Sequence, residues 1–116
     1  MAAIKRHDVS HRMSQCVEYG STVYTAGVVA DDPKLDVKGQ TRQILEKIDR
    51  LLAKAGTDKT KLLQAQVWLT DISTWSQMNE VWDPWVSPGN TPARATVEAR
   101  LAAPQYNVEI MVVAAK

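Results

Sequence analysis

A chain of 116 residues has room for one packed core and not for two. Apolar residues make up 45% and charged residues 23%, the proportions of an ordinary globular protein in water. The formal charge is +1 with the basic residues scattered, which argues against a nucleic-acid binder, and no apolar run approaches the roughly 20 residues needed to cross a bilayer.

Cys16 is the one cysteine, so an intramolecular disulfide is ruled out and a reducing compartment fits. Met1 to Val9 has no apolar run; no secretory signal is expected, and a cytoplasmic location is the default. No repeat, low-complexity tract or linker divides the chain, which reads as a single domain over 1–116.

Ile4 to His7 reads as a short edge strand. Gln15 to Gly20 and Ser21 to Gly27 are rich in β-branched and aromatic residues and read as two strands joined tightly at Gly20. Asp31-Asp32-Pro33-Lys34 is a loop by its turn chemistry. A helix follows, capped by Asp36, with Val37, Thr41, Ile44, Ile48, Leu51, Leu52 and Ala55 forming one apolar face and Gly56 ending it.

Leu62 to Thr70 alternates as a strand, with Leu63, Ala65, Val67 and Leu69 expected on one face. Ser73 or Thr74 is expected to cap a second helix that runs to about Trp82, where Asp83-Pro84 disturbs it. Trp75, Met78, Val81, Trp82 and Trp85 give that helix an aromatic face. Ala93 to Leu101 and Asn107 to Ala115 read as the last two strands, on either side of a turn at Pro104.

The order β-β-α-β-α-β-β points to an α+β fold, a mixed sheet with helices on one face. The last strand is apolar on both faces: Val108, Ile110, Val112 and Ala114 on one, Met111, Val113 and Ala115 on the other. Two helices cannot cover both, so an obligate oligomer is expected.

The chemistry concentrates in the last quarter. Asn90-Thr91-Pro92 turns the chain into a strand that begins with Arg94, and arginine is well suited to gripping a planar carboxylate through two parallel bonds. Glu109 lies between Val108 and Ile110, where burial is costly unless something uses or satisfies the charge. Together they suggest an anion pocket with an acid/base group. An ion pair of Arg94 with Glu98 or Glu109, or of Glu109 with Arg100, is the structural alternative. His7, Asp8 and His11 lack the helical setting in which such spacing binds metal, and Cys16 has no neighbouring histidine in sequence. The tryptophans could stack bases, but packing is the commoner use of such residues.

Pro92-Ala93-Arg94-Ala95-Thr96-Val97-Glu98 through Val108-Glu109-Ile110, with Thr25-Ala26-Gly27 and Asn79, resembles the reactive-intermediate deaminase family (RidA/YjgF), formerly described as endoribonuclease or translation inhibitor. The resemblance spans nearly the whole chain. It implies a chorismate-mutase-like α+β fold, a homotrimer with clefts between subunits, and hydrolysis of 2-imino and 2-enamino acids to 2-oxo acids and ammonia in metabolite-damage control. No metal or organic cofactor is implied.

By that resemblance Arg94 binds the substrate carboxylate, Glu109 places or activates water, and the Gly27 backbone lines the pocket beside Ala26 and Asn79. Trp85 is expected to wall it, with Trp82. Two positions depart from the best-studied branch, which has a tyrosine where this chain has Met13 and a cysteine where it has Thr96. A hydroxyl can still orient water, whereas methionine donates no hydrogen bond. These changes point to a different subgroup, with bulkier or less polar imines as substrates. The alternatives of another class are a non-catalytic trimer that binds small carboxylates as a sensor or chaperone-like partner, and a ribonuclease.

Overall fold

Strand alternation and one helical stripe meet in a single core. The computed structural model describes residues 3–116; Met1 and Ala2, the start of the segment in which no secretory signal is expected, lie outside the described residues. The elements are β1 (Ile4–Val9), β2 (Ser14–Tyr19), β3 (Thr22–Thr25), α1 (Val37–Lys54), β4 (Leu62–Leu69), α2 (Trp75–Trp85), β5 (Ala93–Glu98) and β6 (Val108–Ala115). The six strands form one sheet in the order β1-β2-β3-β6-β4-β5, in which only β4 and β5 run parallel. This is the expected α+β architecture, with β1 as the edge strand.

Helix α1 starts as its sequence predicts: the Asp36 carboxylate accepts from the Gly39 N–H, and Gly56 takes the positive φ that follows the last turn. Its stripe of Ile44, Ile48 and Leu52 is fully buried against Val23, Val67, Ile110 and Val112 of the sheet. Each such side chain contributes roughly 1.5–3 kcal/mol when removed from water. Strand β6 alternates strictly, with Val108, Ile110, Val112 and Ala114 buried beneath the helices and Glu109, Met111, Val113 and Ala115 half-buried on the outer face.

Three details differ from the sequence reading. Helix α2 runs through Pro84 to Trp85. Proline costs the helix one hydrogen bond, but in the last turn the loss is local, and the Val86 N–H still reaches the Trp82 carbonyl at 2.9 Å. Neither Ser73 nor Thr74 caps α2 with its side chain. Instead Asp71 caps the short 3₁₀ turn Ile72–Thr74 ahead of it, accepting from the Ser73 N–H. In β4 the register against β6 shifts between Leu62 and Gln64. Leu62 therefore takes the buried place and Leu63 is left 51% exposed. Among the described residues, no helix is long and apolar enough to cross a membrane.

Candidate active site

Parallel pairing of β5 with β4 sets Arg94 beside Ala65, Thr96 beside Val67 and Glu98 beside Leu69. Those β4 residues face the helices, so Arg94, Thr96 and Glu98 do too. The Arg94 side chain is held in place by α2: Nη1 donates to the Asn79 side-chain Oδ1 at 2.8 Å, and Cζ lies 5.1 Å above the Trp82 ring. Burial pushes the guanidinium pKa down, and the carboxylate of Asp83 opposes that shift. An arginine stays protonated through such a change.

No carboxylate forms an ion pair with Arg94 among the described residues. The expected structural partners are engaged elsewhere or face the other way. Glu98 accepts from the Ile72 N–H at 3.0 Å, and Glu109 lies on the opposite face of the sheet. Beside Arg94, the buried Thr96 Oγ1 has no hydrogen-bond partner among the described residues. A half-buried cation without a counter-ion and a buried hydroxyl without a partner share one face. Both have bonding capacity left for a ligand.

Glu109 pairs with Trp68 and is half-buried on the outer face, and burial pushes its carboxyl pKa up. Its carboxylate lies against Gly27. A Cβ on Gly27 would collide with Glu109 Oε2 and stand 2.9 Å from Cδ. Only glycine allows this approach. The segment is pinned there by reciprocal bonds between Val28 and Ile110, 2.8 Å for the Val28 N–H and 3.1 Å for the Ile110 N–H. Ala26 is tied back to β2, its N–H donating to the Gln15 carbonyl at 2.9 Å. Met13 and Gly27 line one cavity of about 450 Å³ between the sheet and α1.

The predicted residues thus form two groups. Arg94, Asn79 and Thr96 sit at the β5 edge; Gly27, Ala26, Met13 and Glu109 sit across the sheet. Trp85 joins neither: its Nε1–H donates to Asp49 at 3.0 Å and Lys59 lies 5.2 Å above its ring, so Trp82 alone backs Arg94. Trp75 is half exposed and contributes little to the aromatic face. Arg100 lies beyond β5, which ends at Glu98, and forms no ion pair with Glu109 among the described residues. His7 Nε2–H donates to the Glu18 carboxylate at 2.5 Å, and among the described residues no group of three His, Cys, Asp or Glu could hold a metal.

Sequence reasoning did not find the cationic rim of the Gly27 cavity, Lys47, Arg50 and Lys54. Their spacing along one helix face was the available signal.

The endoribonuclease L-PSP family profile matches residues 3–116. A RutC family protein of Haemophilus ducreyi is 46% identical over 112 residues, covering 97% of this chain and 96% of that protein. An uncharacterised protein from Pseudomonas aeruginosa has a solved structure with a TM-score of 0.96 and 43% identity, covering 98% of this chain and 99% of the other. A YjgF family member from Neisseria meningitidis superposes with a TM-score of 0.95 at 40% identity, over 98% and 95% of the two chains.

Proposed function

The chain belongs to the endoribonuclease L-PSP family, also called YjgF or RidA, and on that premise we propose that it hydrolyses reactive 2-imino and 2-enamino acids to 2-oxo acids and ammonia, in clefts between the subunits of a homotrimer. The observation that carries this reading is Arg94, half-buried, fixed by Asn79 and Trp82, and paired with no carboxylate among the described residues. A substrate carboxylate supplies the missing partner, and the free Thr96 hydroxyl beside it takes a further bond.

Arg94 and Glu109 point from opposite faces of one sheet. A cleft between two copies sets Arg94 of one protomer against Gly27 and Glu109 of its partner, which favours the oligomeric reading.

The chemistry asks little of the protein, because an imine carbon is already electrophilic. Arg94 orients the substrate by its carboxylate, a proximity effect. Glu109 takes a proton from water as the water oxygen bonds to C2, and passes that proton to the imine nitrogen. The resulting carbinolamine carries a hydroxyl and an amino group on C2. Glu109 then takes the hydroxyl proton and delivers it to the nitrogen; the C2–N bond breaks, ammonia leaves, and the C2–O bond becomes the carbonyl. A carboxyl whose pKa is raised by burial suits both halves, accepting and returning the proton at small cost.

The test is release of ammonia and 2-oxo acid from imines made in situ by an amino-acid oxidase, with semicarbazide as the competing trap. Acceleration by the wild type that is lost in Arg94→Ala supports the deaminase. Removing a charge-assisted grip worth about 1.5–3 kcal/mol in all should weaken 2-oxo-acid binding about ten- to hundredfold, with assembly intact. An Arg94→Ala chain that fails to assemble makes the residue structural and sinks the assignment. Met13, which donates no hydrogen bond, favours a second reading: a trimer that binds small carboxylates without turnover. A tight 2-oxo-acid complex from a protein that accelerates no imine would establish it.

A further inference from the structure

The cavity beside Gly27 has an apolar floor and a charged rim. Val28 and Leu51 form the floor, and the flexible Met13 thioether covers one side. Lys47, Arg50, Leu51 and Lys54 come from one face of α1, at spacings of three and four residues that bring side chains together. Two of the three cations are already neutralised. Lys47 donates to Asp31 and to the Val29 carbonyl, both at 2.9 Å, and Lys54 donates to Asp8 at 2.6 Å. Arg50 forms no ion pair among the described residues, although its charge helps to lower the pKa of Asp31. A free guanidinium at the rim of an apolar cavity complements a short methylene chain that ends in a carboxylate.

Gly27 connects this cavity to the proposed reaction centre: it lines the cavity, and the Glu109 carboxylate occupies the position that a Cβ on Gly27 would take. A substrate whose C2 lies at Glu109 can pass its side chain along Gly27 into the cavity. The volume, about 450 Å³, is ample for a chain of glutamate length. We propose that this cavity is the side-chain subsite and that Arg50 selects 2-imino acids whose side chain ends in a carboxylate. This rests on the deaminase reading for the reaction, though not for the binding. The apolar wall at Met13 accommodates the methylenes, and the preference for a charged end comes from the rim.

The probes are 2-oxoglutarate and 2-oxopentanoate, which share a carbon skeleton and differ in the terminal group. Calorimetric titration should give wild type an affinity for 2-oxoglutarate on the order of tenfold higher. Arg50→Gln should bring the ratio to about one, and Arg50→Lys should keep part of it. Equal affinities in the wild type, or a ratio unmoved by Arg50→Gln, overturn the proposal. Turnover of imines made from glutamate and norvaline separates the two readings. If neither imine is hydrolysed the deaminase falls, while the affinity ratio still decides the role of Arg50.

Discussion

On the proposed mechanism Glu109 has to give up and recover a proton; it forms no ion pair among the described residues, and its raised pKa follows from burial alone. Two consequences separate a catalytic carboxylate from one in a structural ion pair. Turnover should fall as pH drops through a value above the ordinary 4.5, because the ionised form is the base. Glu109→Gln should slow turnover by about 10²–10⁴-fold, the usual contribution of a general base, while 2-oxo acids still bind. It should not lower thermal stability at neutral pH. A raised native pKa means that the folded state loses stability as pH rises through the titration, so removing the charge relieves a cost. A marked fall in melting temperature would instead reveal a hidden partner. Glu18 has the opposite sign. Bonds from Lys116 at 2.6 Å and His7 at 2.5 Å hold its pKa down to about 2, from 4.5. Its contribution to stability is complete above 4.5 and is lost as pH falls towards 2. The melting temperature of Glu18→Gln should therefore vary less with pH across that window than that of the wild type. Parallel acid limbs for the two proteins would show that Glu18 does not matter there.

At the level of elements, what places Glu109 is the start of β6, and that depends on a buried glutamine in α1. Gln40 is fully buried: its Oε1 accepts from the Asn107 N–H at 2.9 Å, and its Nε2 donates to the Leu35 carbonyl at 2.9 Å and to those of Pro33 and Gln105 at 3.3 Å. Gln40→Leu keeps the volume but strands these groups. It should cost about 1–3 kcal/mol for the unsatisfied N–H, read as a lower denaturant midpoint. An unchanged midpoint would mean that water or relaxation replaces the clamp. Nothing in the sequence marks Gln40 as a clamp, because its partners are backbone groups of two loops that only the fold brings together. What local chemistry decides was legible: the period of α1, its Asp36 cap, the tight turn at Gly20, and the two-sided apolarity of β6. The misreadings have tertiary causes. Leu63 follows a register shift set by β6, and Pro84 is tolerated because it falls in the last turn. The separation of Arg94 from Glu109 was likewise hidden. Alternation assigns faces within a strand, and comparing two strands requires a register that no single strand carries.

The whole molecule leaves the outer face of its central strands half covered. Met111 pairs with Gln66 and Val113 with both Gln64 and Tyr24, which is 45% exposed; Val97 on β5 is 44% exposed. A central strand with half-buried valine and methionine on its second face is the pattern of a sheet covered on both sides. The helices lie on the first face, so we propose that the second is covered from outside the chain, and the division of Arg94 and Glu109 between the two faces makes another copy of this chain the economical choice. Val113→Asp tests the point, since an unpaired carboxylate at a dry contact opposes association while staying tolerable on a wet surface. The wild type should sediment as a trimer and the variant as a monomer with nearly the same far-ultraviolet dichroism. The variant should also lose imine hydrolysis although Arg94, Thr96, Gly27 and Glu109 are all intact, because no single copy brings Arg94 to Glu109. A monomeric wild type that hydrolyses imines would refute both the assembly and the shared cleft, since one chain would then hold a complete site.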